Sequence, residues 1–359
     1  MSASTLATAR WSTLHTRARP SGTTRPSAPV TTAPAGFDSG SEADGVRAAT
    51  IADRALVVAD QPDPVPDSGQ LLVRTRAAGV NAADLMQVQG GYPAPPGSPS
   101  DIPGLELAGE VVAVGRDVER FGPGDRVMAV VGGGAHAELV LVHERTALAV
   151  PDDTAWDEAG GFPEAFTTAH DALFTQCQLA LGERLVVHGA AGGVGTAAVQ
   201  LGAAAGAQVT ATVRRAELRP AVAALGAQVV GPDEFASVGP FDVVLELVGG
   251  PNMAANLAAL AVGGRICVIG AGAGGSAEIN LHALMILRAR ISASTLRARP
   301  LEAKADAARR VERQVLPLLA AGRLRVPIAA RFRLEQVGDA YERFAAPGKL
   351  GKVIVLMDA

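Results

Sequence analysis

Leu185-Val186-Val187-His188-Gly189-Ala190-Ala191-Gly192-Gly193-Val194-Gly195, continued by Thr196-Ala197-Ala198-Val199-Gln200-Leu201, carries an apolar strand through a glycine turn into a helix. A helix that begins this way turns its free backbone N–H groups and the positive end of its dipole toward the turn, which suits a pyrophosphate. Gly192 lets a backbone approach phosphate oxygens, and Gly195 lets the helix pack closely on the strand. Gly189, Gly192, Gly193, Val194 and Gly195 are therefore candidate dinucleotide-binding residues. A glycine turn alone says little in a chain with 41 glycines; its position between strand and helix says more.

Working outward, residues 208–213, 242–246 and 265–269 are further apolar strands separated by Ala-rich helical stretches. That alternation predicts βαβ units on a parallel sheet. The strand after the glycine helix ends Ala211-Thr212-Val213-Arg214-Arg215. An acid there would hold the ribose 2′-hydroxyl of NAD and repel a 2′-phosphate, whereas a guanidinium binds that phosphate bidentately. One such charge-assisted bond is worth ~1.5–3 kcal/mol, roughly a ten- to hundredfold preference. Arg214 and Arg215 thus point to NADPH, against the plainer reading that they solvate a helix start.

Toward the N-terminus the pattern differs. Residues 47–80 read as strand, turn, strand around Gln61-Pro62-Asp63-Pro64-Val65-Pro66-Asp67-Ser68-Gly69, and short strands follow at 109–114, 126–131 and 137–142. Strands this short and this closely spaced predict a mostly β, barrel-like domain. Residues 302–322 read as one amphipathic helix and 351–356 as a final strand. The expected division is 46–165 with 301–359 as one domain and 166–300 as the nucleotide-binding domain, the usual two for 359 residues. Residues 1–45, rich in Ser, Thr, Pro and Arg, read best as a disordered extension; a transit peptide or a misplaced translation start are the alternatives.

Composition narrows the class. With 48% hydrophobic and 19% charged residues the chain is not a disordered one. No run of 18 apolar residues escapes interruption, so no membrane span is expected, and a net charge of -4 argues against nucleic-acid and anionic-membrane partners. Cys177 and Cys267, the only cysteines, cannot build a disulfide framework or a four-cysteine zinc lobe. The six histidines have no ligand-like spacing, so no metal is expected.

Several segments, in order, resemble the medium-chain dehydrogenase/reductase superfamily and, within it, the zinc-free quinone oxidoreductases. They are Ala77-Ala78-Gly79-Val80-Asn81-Ala82-Ala83-Asp84, Pro103-Gly104-Leu105-Glu106-Leu107-Ala108-Gly109-Glu110-Val111, Gly122-Pro123-Gly124-Asp125-Arg126-Val127, the glycine turn and Gly351-Lys352-Val353. Ser294-Thr295-Leu296-Arg297-Ala298-Arg299 is similar to the p53-inducible quinone oxidoreductase branch. The resemblance implies an α/β chain: a GroES-like β-barrel catalytic domain plus a Rossmann domain with a doubly wound parallel sheet. It further implies a cytoplasmic homodimer or homotetramer. Zinc enzymes of this superfamily carry a Cys near position 81 and a His at position 105, here Asn81 and Leu105, so their catalytic metal set is incomplete.

A quinone is electrophilic without a Lewis acid, so the resemblance implies zinc-independent NADPH reduction of a quinone or activated carbonyl substrate. It places Asn81 and Tyr92 beside the nicotinamide and substrate, where an amide and a hydroxyl can donate to a quinone oxygen. It places Thr168 (or, one residue out of register, Thr167), Gly249, Gly270 and Lys352 beside the cofactor. Plainer roles compete: Asn81 and Asp84 as helix caps, Tyr92 as a loop aromatic, Lys352 as a solvated strand start. Two other functions stay open. One is enone or enoyl-thioester reduction on the same fold; the other is a non-catalytic nucleotide- or RNA-binding role like that of the ζ-crystallins.

Overall fold

The computed structural model describes residues 45–357, so the expected extension lies outside the described residues apart from Gly45. Six strands form an all-parallel sheet: Arg184–Val187, Gln208–Thr212, Gln228–Val230, Phe241–Glu246, Leu260–Val268 and Arg290–Ala293. Numbered in that order they lie 3-2-1-4-5-6, the order of a doubly wound Rossmann sheet. The order reverses between Arg184–Val187 and Phe241–Glu246, so the crevice beyond their C-terminal ends is the natural ligand position. The helix Gly193–Ala204 leaves the first strand there, with Gly192 as its N-cap.

The second sheet has seven strands and is mostly antiparallel, as expected for the GroES-like part. At its centre Gln70–Val80 pairs with Glu106–Val114, with Leu139–His143 and with the C-terminal strand Lys352–Leu356. A hairpin of Val46–Ala52 and Ala55–Gln61 forms a two-stranded sheet of its own, turning at Asp53 and Arg54, both with left-handed φ. That pair of positive φ angles is the two-residue turn that matches strand twist.

Two helices tie the sheets together. Trp156–Gly161 lies so close to Gln70–Val80 that a Cβ on Gly160 would stand 2.7 Å from the Ala77 carbonyl oxygen. Pro163–His170 packs against Gly193–Ala204 and against Leu301–Gln314. One core runs from Met128 and Leu148 of the seven-stranded sheet, through stacked Phe162 and Phe166, to Leu185 and Leu245 of the parallel sheet. The helix expected over 302–322 is two helices, Leu301–Gln314 and Leu316–Ala320, broken at Val315. Pro317 is the cause: it has no N–H to bond the preceding turn, and its ring excludes the residue four places earlier from a continuous helix. No helix among the described residues is long and apolar enough to cross a membrane.

Candidate active site

The glycine turn and the C-terminal ends of the parallel strands enclose a groove of about 690 Å³. Gly189, Gly192, Arg214 and Arg215 line it, together with Val213, Val248 and Asn252. At Gly189 φ is +63°, which the turn requires and glycine allows. A Cβ at Gly192 would meet nothing nearer than the Gly189 carbonyl oxygen at 3.4 Å, so this backbone is open to a ligand. At Gly195 a Cβ would stand 2.5 Å from that same oxygen, so this glycine serves packing. Arg214 is exposed and makes no hydrogen bond or ion pair among the described residues; Arg215 pairs with Glu217 at 3.1 Å. A nicotinamide dinucleotide fits this cradle of backbone donors with two guanidinium groups at its rim.

Sequence reasoning missed the far wall, where Pro347, Gly348 and Lys349 face the arginines. Gly348 lies against the Arg215 guanidinium, and the Lys349 ammonium rests over the Phe344 ring and donates to its carbonyl at 2.5 Å. Gly249 and Gly270 are absent from the lining. A Cβ at Gly249 would stand 2.7 Å from the Gly274 carbonyl oxygen, and one at Gly270 would stand 2.4 Å from that of Leu247. Both let one stretch of backbone pass closely by another.

Under the turn lies a buried polar chain that the sequence did not single out as a unit. His188 Nε2 donates to Asn256 Oδ1 at 2.7 Å, so Nδ1 accepts from the Thr212 hydroxyl at 3.0 Å. Asn256 donates to Glu246 Oε2 at 2.7 Å, and Glu246 Oε1 accepts the N–H groups of Val248 and Gly249 at 2.6 and 2.8 Å. Glu246, wholly buried, thereby fixes the segment that carries Val248 into the groove. Burial lowers the His188 pKa, so the imidazole is neutral.

The second half of the site joins Gln70–Val80, Glu106–Val114 and Lys352–Leu356. The Lys352 ammonium is buried and reaches three oxygens: Glu106 Oε1 at 2.5 Å, Asn81 Oδ1 at 2.6 Å and the Val80 carbonyl at 3.0 Å. Its three N–H donors are all used. Asn81 is the N-cap residue of the helix Ala82–Val88, and its amide also reaches away from the helix. The amide donates to Glu106 Oε1 at 3.0 Å and to the Gly79 carbonyl at 3.2 Å. Asp84 also caps: it accepts the Asn81 N–H at 2.7 Å and the Gly104 N–H at 3.2 Å. Burial pushes its pKa up to about 7 despite those donors and Lys352.

Lys352 also touches the cofactor half, since a Cβ on Gly193 would stand 2.7 Å from its Cδ. The Gly351 N–H donates to the Ala191 carbonyl of the glycine turn at 2.8 Å. Thr168 and Thr167 are both buried, and the helix turns them to different neighbours. The Thr168 hydroxyl approaches Glu164 Oε1 at 3.4 Å, whereas Thr167 faces Leu296 and Lys304.

Tyr92 sits on the loop after Ala82–Val88, half-buried, its ring under the Arg297 guanidinium. Its hydroxyl makes no hydrogen bond among the described residues. Arg297, buried, binds the carbonyls of Tyr92 and Gly132, each at 2.8 Å, and the Gln87 side chain. Two residues along, Arg299 and Ser294 hold Asp171 at 2.6 Å. The Ser294–Arg299 segment is therefore a double clamp, one hand on the Tyr92 loop and the other on Asp171.

The donor set does not fit a tetrahedral zinc. Among the described residues no three His, Cys, Asp or Glu side chains are grouped to hold a metal ion. Leu105 is a buried hydrocarbon, and Cys177 and Cys267 are free thiols, both buried.

Comparison with known proteins agrees with this architecture. Residues 67–152 match the alcohol dehydrogenase GroES-like domain and 225–355 the zinc-binding dehydrogenase model. The quinone oxidoreductase of Lama guanicoe is 32% identical over 307 residues, covering 82% of this chain and 91% of that protein. A mycobacterial protein solved in complex with NADPH superposes with a TM-score of 0.78 at 26% identity, covering 87% of this chain and 100% of the other. A cobalt- and zinc-bound alcohol dehydrogenase from Pyrobaculum aerophilum gives 0.76 at 28%, covering 87% and 99%. With that degree of identity to a quinone oxidoreductase along nearly its whole length, and with both sheets in the expected order, the chain belongs to the quinone oxidoreductases of the medium-chain dehydrogenase/reductase superfamily.

Proposed function

We propose that this protein uses NADPH to reduce quinones by direct hydride transfer, without zinc, and that it works in the cytoplasm as a homodimer or homotetramer. The observation that carries this reading is the Lys352 ammonium, bonded to Glu106, Asn81 and the Val80 carbonyl. The ammonium and its partners satisfy one another, so no free cation stands among them to lower the pKa of an alcohol oxygen as a Lewis acid would. A quinone needs no such help. A reduced nicotinamide bound along the groove supplies the hydride.

The protein's own residues hold and orient. The open backbone at Gly192 and the N-terminus of Gly193–Ala204 receive the pyrophosphate, while Arg214 and Arg215 hold the 2′-phosphate. Lys352 fixes the Asn81 amide and the Gly193 edge as one wall of the crevice, with Thr168 beside them. Both Asn81 amide hydrogens are engaged, so Asn81 shapes this wall and the free Tyr92 hydroxyl donates to the substrate oxygen.

Changing Arg214 and Arg215 together to Ala tests the cofactor half. The Michaelis constant for NADPH is expected to rise roughly ten- to a hundredfold, with that for NADH nearly unchanged. Equal effects on both would refute 2′-phosphate recognition. For the substrate half, NADPH oxidation is followed with quinones, enones and enoyl thioesters before and after chelator dialysis. Turnover of quinones unaffected by the chelator is expected; zinc-dependent turnover, or turnover of thioesters alone, would refute the reading.

A further inference from the structure

We propose that Glu164 is a catalytic residue whose carboxyl donates the proton that the acceptor takes up together with the hydride. This rests on the crevice being the site of quinone reduction. Three carboxyls cluster there, and their hydrogen bonds set one of them apart. Asp84, wholly buried, accepts the Asn81 and Gly104 N–H groups. Glu106, also wholly buried, is held by Lys352, by the Asn81 amide and, at 2.8 Å, by the Glu164 N–H. Glu164 is a half-buried residue, and its carboxyl receives only the Thr168 hydroxyl at 3.4 Å. It is the one carboxyl of the three with a spare oxygen, on the one residue of the three that is not wholly buried.

Glu164 also lies on the helix that borders the glycine turn. It lies in the first turn of Pro163–His170, and a Cβ on Gly193 would come within 3.9 Å of the next side chain, Ala165. The groups that face it are Asp84, Glu106, Lys352, Arg297 and Lys304, drawn from five different segments. The enclosing walls and the charge of Glu106 push its pKa up to about 7, so it holds a proton near neutrality and can release it.

The step balances. The electron pair of the hydride becomes a new bond on the quinone, which is reduced by two electrons. The O–H bond of Glu164 breaks, its proton forms an O–H bond on the reduced acceptor, and its electron pair stays on the carboxylate. Solvent reprotonates Glu164 once the hydroquinone leaves the crevice.

Glu164→Gln keeps shape and removes the proton. Its kcat is expected to fall about a hundredfold with the NADPH dissociation constant unchanged, and to lose both its decline above about pH 7 and its solvent isotope effect. A readout independent of turnover is the infrared spectrum of the nucleotide-free protein. The carboxylic C=O band lost between about pH 6 and about pH 8 should be weaker in the variant. Should Glu164→Gln not fold, Thr168→Val serves instead. Removing the hydroxyl that supports the anion should move the pH midpoint of rate and band upward. A Gln variant that keeps the pH decline and the isotope effect, or a band that the substitution leaves unchanged, would overturn the proposal. A wild-type protein that shows the band but reduces no quinone would instead overturn the reading of the crevice, and the catalytic role with it.

Discussion

Lys352 is one of three lysines in the chain, and it is buried. A buried ammonium is tolerated only when each N–H finds an acceptor and an opposite charge lies near, and Glu106, Asn81 and Val80 meet both conditions. Lys352→Met would leave the Glu106 carboxylate buried and uncompensated, at a cost of about 3–5 kcal/mol, readable by denaturant unfolding. Adding Glu106→Gln to that variant should restore part of the loss. Glu164 and Asp84 impose a further signature. Their folded pKa values lie near 7, above the ordinary 4.5 and 3.8, so the folded protein binds these protons more tightly than the unfolded chain. Their stabilising contribution is fully present below the ordinary values and is lost as pH rises through about 7. The thermal midpoint of Glu164→Gln should therefore decline less than that of the wild type across this window. A parallel decline would show that Glu164 does not titrate there. Family likeness pointed to Lys352 and Asn81, but not to their meeting Glu106 and Glu164. Positions 81, 106, 164 and 352 share no local pattern and are brought together only by strand pairing and the Pro163–His170 helix.

At the level of the element, the glycine turn makes unequal demands on its members. A Cβ at Gly195 would strike the Gly189 oxygen at 2.5 Å and the Ala190 Cα at 2.6 Å, both backbone, whereas one at Gly193 would strike a side chain, the Lys352 stem. Gly195→Ala should cost about 1–3 kcal/mol and weaken nucleotide binding, with Gly193→Ala the milder of the two. Melting curves with and without NADPH compare them directly, and equal losses would contradict this packing. The turn was legible from sequence because strand, glycines and helix are local and contiguous. The helix break at Val315 was also written locally, in Pro317, although the amphipathic period continues across it. The Val46–Ala52 strand was harder to see, since its hairpin turns on Asp53 and Arg54 without the usual glycine. The chain from Thr212 through His188 and Asn256 to Glu246 was invisible, because its partners are up to 68 residues apart.

The parallel sheet ends on one side at Arg290–Ala293, a strand with one neighbour, preceded directly by the helix Leu281–Leu287. On that helix Leu281, Met285 and Ile286 are 66%, 72% and 77% exposed, and Ile291 of the edge strand adds to the patch. By hydropathy alone these residues cannot be told from a buried helix, so their exposure was not legible in the sequence. An open edge carries unpaired N–H and C=O groups, and an apolar patch beside it is the kind of surface that proteins cover. A second copy related by a two-fold axis would cover both features at once, because an isologous contact sets the same patch against itself. The face also lies on the opposite side of the sheet order from Gln208–Thr212, the strand that leads to Arg214 and Arg215. Introducing charge here should therefore separate assembly from cofactor binding. Met285→Asp with Ile286→Asp is expected to halve the mass seen by light scattering if this face closes a dimer, or to reduce a tetramer to a smaller assembly. NADPH affinity should be retained in both cases. An unchanged mass would place the contact elsewhere, and a wild-type protein that is monomeric at micromolar concentration would refute self-association through this edge.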